Sequence, residues 1–307
     1  MKTIRTAVIG VGHLGQHHAR LLSSMDGVEL VGVVDTKPGR AAEIAAKYGS
    51  QAFTDAGEVL DRIDAVSVAV PTVAHLDVAR RFLERGIPAI VEKPLAASLA
   101  EADILVGLAA SRQTMLATGH TERFNPAVQA ALPLVSRPRF IEVHRLGTFP
   151  DRSLDIDVIF DLMIHDLDLL LTAVQSEVES VEAVGVNVLT PRTDIANARL
   201  RFASGCIANV TASRISRERV RKVRFFQHDS YVSIDYAAQE VEVYRLVAQN
   251  GGRPAIQRGR VDVAGDEPLR AELADFVEAV RMRRQPAVTG RDGRAALALA
   301  TRVAQLI

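Results

Sequence analysis

Three ionisable side chains in this sequence have types and positions suited to acid–base chemistry on a hydroxyl group: Lys93, Asp161 and His165. Lys93 follows a predicted strand at residues 89–92, and Pro94 favours an extended backbone before it and permits a cis bond. A lysine held there could stabilise a developing alkoxide and join a proton relay. The alternative is an ordinary surface lysine after a strand.

The other two side chains lie on one predicted helix, at residues 158–174. Asp161, His165 and Asp168 recur at i, i+4 and i+7 beside an apolar stripe, so one face should present all three. His165 could remove the hydroxyl proton while Asp161 orients the imidazole, and Asp168 is predicted to contact substrate. A solvated helix face is an alternative. A metal site is another, but no further His or Cys has matching spacing, so no metal is predicted.

A glycine-rich turn at residues 10–15 predicts a dinucleotide site. It follows the first predicted strand and opens the first helix. Its glycines permit a tight turn and close approach to a pyrophosphate, whose charge the helix N-terminus favours. The alternative is a purely structural turn. The predicted cofactor contacts in this turn are Gly10, Gly12, His13, Leu14 and Gly15.

Asp35 favours NAD as the cofactor. It lies 20 residues beyond Gly15, at the end of the second predicted strand, where a carboxylate can accept hydrogen bonds from the ribose hydroxyls. Its charge would repel the 2′-phosphate of NADP. Lys37 and Arg40 lie close in sequence and leave NADP open as the less favoured cofactor. Later strands end at Pro71, Thr72, Glu92 and Lys93, which are predicted at the same cofactor, together with His75, because strand carboxyl ends border the ligand crevice of such sheets.

The order of predicted elements places these residues in an α/β chain with two domains. Residues 1–120 alternate apolar strands with helices, which predicts a Rossmann domain with a doubly wound parallel sheet. Residues 121–307 carry successive strands with alternating polar and apolar residues, and end in helices near 268–284 and 294–307. They predict an α+β domain for substrate binding and oligomerisation, with a large, mainly antiparallel open sheet.

Composition narrows the class of partner and compartment. Hydrophobic residues make up 48% and charged residues 24%, which is typical of a globular protein. The 37 basic and 37 acidic residues balance, so neither nucleic acid nor a membrane surface is expected as a partner. The single cysteine, Cys206, excludes an internal disulfide, and no apolar run suits a signal peptide or membrane span. We therefore expect a cytoplasmic protein.

Taken in order, these motifs resemble the glucose-fructose oxidoreductase, inositol dehydrogenase and MocA family. The resemblance implies that Lys93, Asp161 and His165 are catalytic, that Glu92 lies near the nicotinamide ribose, and that the open sheet mediates homodimer or homotetramer contacts. The glycine-rich segment that precedes the catalytic Asp in many members is absent, and residues 158–160 replace it. The matching positions are residues 10–15, His18, Ala19, Asp35, Pro71, His75, residues 92–94, residues 123–126, Asp161, His165, Asp168 and the pattern within residues 268–293.

Within the family, residues 121–126 and 161–168 most resemble members that oxidise the 3-hydroxyl of UDP-N-acetylglucosamine. A diphosphate substrate needs cationic partners, and the guanidinium fork matches phosphate oxygens. A dehydrogenase of a free sugar or inositol, and a non-catalytic NAD-binding sensor, remain alternatives. The candidate substrate contacts besides Asp168 are Arg123, Asn125, Arg145, Arg152 and Arg214.

Overall fold

The computed structural model describes residues 3–149, 156–247 and 255–307. The chain forms two compact units. The first comprises residues 1–121 and 269–297, and the second comprises residues 122–268 and 298–307. None of the described helices has the length and apolar character needed to cross a membrane.

The first unit is built on a six-stranded parallel sheet in the order β3-β2-β1-β4-β5-β6. This order is that of a Rossmann fold, which confirms the predicted class. The inner strands are mostly apolar because both of their faces are covered. The strands are β1 (Ile4–Ile9), β2 (Val28–Val34), β3 (Gln51–Phe53), β4 (Ala65–Val68), β5 (Ala89–Glu92) and β6 (Leu116–Gly119). The helices between them are α1 (Gly15–Ser23), α2 (Pro38–Tyr48), α3 (His75–Leu83) and α4 (Leu99–Ser111).

The second unit contains an eight-stranded sheet in the order β14-β13-β12-β11-β7-β10-β9-β8. The β7–β10 pair is parallel and the remaining pairs are antiparallel, which confirms the predicted mainly antiparallel sheet. The strands are β7 (Phe140–Leu146), β8 (Val178–Val186), β9 (Ile195–Phe202), β10 (Ile207–Ser213), β11 (Val220–Phe226), β12 (Ser230–Asp235), β13 (Glu240–Val247) and β14 (Ala255–Val261). Its complete helices are α5 (Pro126–Ala131) and α6 (Ile164–Val174).

The two faces of this second sheet differ. Along β7, β9 and β10 every second residue is buried, while the residues between them are partly or fully exposed. Side chains alternate across a strand, so one face is packed and the other is open. We call the second the open face.

Three strands were not predicted from the sequence: β3, β6 and β14. The first two are only three and four residues long, and strands this short carry a weak signal in the sequence. The third reads Ala-Ile-Gln-Arg-Gly-Arg-Val, with few apolar residues, because as an edge strand it pairs only with β13.

The C-terminal helices change the predicted division at residue 120. They are α7 (Pro268–Met282) and α8 (Gly290–Ala304). Leu273, Phe276 and Val277 of α7 belong to the same buried core as β1, and residues 269–297 therefore belong to the first unit rather than the second. An apolar stripe indicates that a helix is buried, but it does not show which core the helix packs against. The prediction from chain order alone therefore placed α7 in the wrong unit.

We expect Phe276→Ala to lower the free energy of unfolding by about 3–5 kcal/mol, because Phe276 is 2% exposed and its loss leaves a cavity in the first unit. Denaturation by urea, followed by far-ultraviolet circular dichroism, measures the effect. Met282→Ala on the same helix is the control, since Met282 is 65% exposed and should change stability by less than about 0.5 kcal/mol. Equal stability of the two variants would contradict the packing of α7.

Candidate functional site

The glycine turn has the shape that a pyrophosphate requires. Gly10 has a φ of +82°, and a Cβ at Gly15 would lie 1.8 Å from the Gly10 carbonyl oxygen, so both positions need glycine. A Cβ at Gly12 would meet no protein atom within 4 Å, and this exposed backbone leaves room for a ligand. Between them, His13 and Leu14 are also exposed.

The helix that follows this turn adds favourable electrostatics for a bound anion. No side chain caps the N-terminus of α1, and its first turn carries no acidic residue. The amides there and the helix dipole can therefore serve a bound anion. Together with the open backbone at Gly12, these observations fit the pyrophosphate of NAD.

Asp35 braces the turn from the end of β2. Its carboxylate accepts hydrogen bonds from the Val11 amide at 3.1 Å and from the Lys37 amide at 2.9 Å. Each carboxylate oxygen has a further lone pair, so Asp35 can still accept bonds from ribose hydroxyls.

Arg40 is anchored away from the role that would favour NADP. Its guanidinium donates to the Val11 carbonyl at 2.8 Å, to Gln16 at 3.0 Å and to Glu43 at 2.9 Å. A fourth partner is the Gly12 carbonyl at 3.4 Å, and a guanidinium engaged in this way is not a ready partner for a 2′-phosphate. The balance of charge at this site thus remains with Asp35, in agreement with NAD.

A buried polar network holds the residue before Lys93. The Glu92 carboxylate lies 3.0 Å from His18 Nε2 and accepts the Lys93 amide at 3.1 Å, while His18 Nδ1 lies 2.7 Å from Ser67 Oγ. Burial raises the pKa of Glu92, but the hydrogen bond from His18 and the positive charges of His18 and Lys93 outweigh burial and lower it. The sequence drew attention to His18 only as part of a motif, and Ser67 gave no signal because it lies within an apolar strand.

His75 connects the two strand ends that were predicted at the cofactor. It is 1% exposed, and its ring nitrogens lie 3.0 Å from the Val70 carbonyl and 2.9 Å from the Pro94 carbonyl. The Lys93–Pro94 bond is cis, as the sequence permitted. The imidazole thus holds the backbone beside Lys93, while Pro71 is exposed in the adjoining turn.

Asp161 and His165 lie where a π-helical turn joins α6. The π turn spans Ile159–Met163, and the Ile164 amide donates to the Ile159 carbonyl, five residues earlier. Such turns interrupt the ordinary helical register and are frequent at functional sites. Asp161 and His165 are both partly exposed, as groups that meet a substrate must be.

Asp168 does not share that exposure. It is 1% exposed and accepts two hydrogen bonds from the Arg123 guanidinium, at 2.7 and 2.6 Å. The predicted row of three side chains on one accessible face is therefore wrong for Asp168. This aspartate and Arg123 were predicted to contact substrate, but the structure pairs them with each other.

A second buried ion pair supports the start of α6. Arg145 donates to Asp166 at 2.7 and 2.9 Å and to Glu122 at 2.9 Å. Burial alone would lower the pKa of Arg145, but the charges of Asp166 and Glu122 raise it well above its ordinary value. Arg145 is thus held as a buried cation by two carboxylates, while its contact with a substrate phosphate stays a prediction.

The other predicted substrate contacts also have protein partners or lie outside the described residues. Arg214 is buried and donates to Asp194 at 2.9 Å and to the Ile156 carbonyl at 2.6 Å, so it supports the segment that enters the π turn. Asn125 accepts the Ala127 amide at 3.1 Å and caps α5. Arg152 lies outside the described residues. Among the residues that are described, no group of three His, Cys, Asp or Glu side chains could hold a metal ion.

Comparison with known proteins gives the same picture for the whole chain. Residues 4–120 match the model of an oxidoreductase family with an NAD-binding Rossmann fold, and residues 136–229 match the GFO/IDH/MocA C-terminal domain. The chain is 41% identical over 302 residues to the UDP-N-acetylglucosamine 3-dehydrogenase of Acidithiobacillus ferrooxidans, covering 98% of this chain and 96% of that protein. A solved structure of the Acidithiobacillus enzyme superposes with a TM-score of 0.93 at 40% identity, covering 100% of this chain and 98% of that one. The scyllo-inositol 2-dehydrogenase (NAD⁺) of Bacillus subtilis is 28% identical, covering 94% of this chain and 90% of that protein.

We expect Glu92→Gln to lower the free energy of unfolding at pH 7 by about 1.5–3 kcal/mol, the range for hydrogen bonds to a charged group. Because folding lowers the pKa of Glu92, its contribution is present above the ordinary glutamate pKa of about 4.3 and is lost as the pH falls through the lowered value. The gap between wild type and variant should therefore shrink below about pH 4.

Urea denaturation at a series of pH values between 7 and 3 measures this gap. Glu84→Gln is the matched control, because Glu84 forms an exposed ion pair with Arg80 that should contribute little. A gap for Glu92→Gln that stays constant with pH would contradict the role of its charge.

Proposed function

Because the chain belongs to the GFO/IDH/MocA family of NAD-binding oxidoreductases, as its motifs indicated, we propose that it oxidises the 3-hydroxyl of UDP-N-acetylglucosamine to a ketone. The observation that carries this proposal is the 41% identity to a relative of that activity, which extends over 98% of the chain. Inositol dehydrogenases are more distant, at 28% identity for the Bacillus subtilis protein. We therefore favour the nucleotide sugar over a free polyol.

His165 is the proposed general base. Its partly exposed imidazole takes the proton of the substrate hydroxyl, and Asp161 orients the ring and stabilises the positive charge that it gains. Bound NAD would supply the acceptor for the hydride that leaves the carbon bearing this hydroxyl. Loss of the proton and the hydride together leaves the ketone.

Lys93 is the proposed electrophilic partner. Its ammonium stabilises the negative charge that develops on the substrate oxygen as the proton leaves. The chain holds this residue firmly on both sides, because Glu92 accepts the Lys93 amide and His75 contacts the Pro94 carbonyl. A backbone that is held in place limits the reorganisation that the lysine needs during the reaction.

We expect the purified protein to reduce NAD with UDP-N-acetylglucosamine, and Lys93→Met and His165→Ala each to lower kcat by about 10²–10⁴-fold, the usual contribution of an acid or base. Absorbance of NADH at steady state measures the rate. His228→Ala and Lys47→Met are controls in exposed positions and should leave kcat unchanged.

Two results would contradict this proposal in different ways. If either active-site variant kept a near-wild-type rate, its assigned role would fail. If scyllo- or myo-inositol were oxidised and the nucleotide sugar were not, the substrate would be wrong while the reaction class stood.

We also propose that the protein is a homodimer or homotetramer built through the open face of the second sheet. Aromatic rings cross that face on adjacent strands, with centroids 5.6 Å apart for Phe140 and Phe226, 5.0 Å for Phe226 and Tyr231, and 5.2 Å for Tyr231 and Tyr244. Aromatic residues are enriched at protein interfaces.

A cytoplasmic location also fits the single cysteine, Cys206. Burial raises the pKa of its thiol to about 11.

Thr211→Arg should dissociate that assembly, because it places a bulky charge on a central strand of the open face. Light scattering after size-exclusion chromatography should give two or four times the 33.2 kDa chain mass for wild type and a shift toward 33.2 kDa for the variant. Ser111→Arg, at an exposed position on α4, is the control. A monomeric wild type, or an unchanged Thr211→Arg, would overturn the proposal.

A further inference from the structure

The second unit carries a guanidinium beside the start of α6 that the preceding roles do not use, that of Arg221. In the β7–β11 pairing Arg221 lies directly opposite Arg145. Directly opposite residues project from the same face of a sheet, so Arg221 shares the packed face with Arg145. Arg145 is 3% exposed, whereas Arg221 is exposed. Arg221 thus lies where the cover over this face ends.

Arg219 extends the same cationic edge. It lies two residues before Arg221, immediately before β11, and is also exposed. Its guanidinium nitrogens lie 3.4 and 3.3 Å from Thr148 Oγ1, so it faces the end of β7. Arg221 lies close enough to both Arg145 and Arg219 for their positive charges to act on it.

The charges around Arg221 do not give it an anionic partner of its own among the described residues. Partial burial and the positive charge of Arg145 lower the pKa of Arg221, while Glu122 and Asp166 act in the opposite sense. Both of those carboxylates already accept hydrogen bonds from Arg145. Among the described carboxylates, none forms an ion pair with Arg221.

We propose that Arg219 and Arg221 form the subsite for the diphosphate of the substrate, an inference that rests on the proposed nucleotide-sugar function. A diphosphate matches two adjacent guanidiniums, each of which can donate a pair of hydrogen bonds. The arginines first considered for this role are otherwise engaged: Arg123 with Asp168, Arg145 with Asp166 and Arg214 with Asp194.

The subsite also lies near the chemistry within the same unit. Arg145 connects Arg221 to Asp166 by one strand pairing and one ion pair, and Asp166 is adjacent in sequence to the proposed base, His165. An anchor for the diphosphate there would hold the attached sugar close to that base. The pyrophosphate of NAD has its own place at the glycine turn of the first unit.

The test is calorimetric titration of UDP, and separately of uridine, into the full-length protein. Arg221→Gln should raise the Kd for UDP at least tenfold, and Arg219→Gln should raise it less, while neither should change the Kd for uridine. Arg139→Gln is the matched control. Arg139 is exposed and precedes β7 at the opposite end from Arg145, in step with the same face, so its loss should leave the Kd for UDP unchanged.

Several outcomes would overturn the subsite. Unchanged UDP binding by Arg221→Gln would do so, as would an equal loss of UDP and uridine, which would indicate general damage rather than a lost phosphate contact. If Arg221→Gln does not fold, Arg221→Lys keeps the positive charge but lacks the paired donors of the guanidinium. That variant should bind UDP with an intermediate Kd. A wild-type Kd would contradict a role for the paired hydrogen bonds of the guanidinium.

The subsite and the proposed function can fail separately. Turnover of UDP-N-acetylglucosamine with an unchanged KM in Arg221→Gln would remove the subsite and leave the function standing. Binding of UDP through Arg221 without oxidation of UDP-N-acetylglucosamine would leave the subsite and refute the substrate. A wild-type protein that binds no UDP would refute both.

Discussion

The ion pair between Arg145 and Asp166 fixes helix α6 of the second unit, which carries the proposed base. Both side chains are almost completely buried, and the pair has two hydrogen bonds of 2.7 and 2.9 Å. Loss of one partner from such a pair costs about 3–5 kcal/mol, because it leaves an uncompensated charge without water. Helix α6 can therefore adopt only the rotation that keeps Asp166 against β7. That rotation leaves its neighbour, His165, partly exposed.

The first unit positions Lys93 with a different set of interactions. Lys93 follows a strand instead of lying on a helix, and its backbone is held by a carboxylate and by an imidazole that contacts the Pro94 carbonyl. The Glu92 carboxylate is buried, but the histidine and the lysine beside it keep its charged form favourable. In each unit the side chain that we propose to react is partly exposed, while the groups that position it are buried.

The distribution of arginines decides how the second unit can treat an anionic substrate. Arg123, Arg145 and Arg214 each face an aspartate that is shielded from water, so their charges are already balanced. Arg219 and Arg221 differ because they lie at the edge of the packed face, where a ligand can approach. Burial, rather than residue type, separates the arginines paired within the protein from those that we propose to bind substrate.

The sequence by itself determined the features that depend on neighbours in the chain. The glycine turn, Asp35, the strand that ends at Lys93, and the spacing of Asp161 and His165 are local patterns, and they were enough to predict the fold class, the NAD cofactor and the family. Local signals suffice because a turn, a strand or a helical face is set by residues a few positions apart.

Only the tertiary structure decided which charges meet. Arg123 pairs with Asp168 across 45 residues of sequence, and Arg145 pairs with Asp166 across 21. The same holds for α7, whose stripe fits the core around β1. It also holds for His18, which reaches Glu92 only because β1 and β5 flank β4 in the sheet. An arginine that will be buried against an aspartate and one that will meet a phosphate read alike in sequence, since packing alone determines which of them water and ligands can reach.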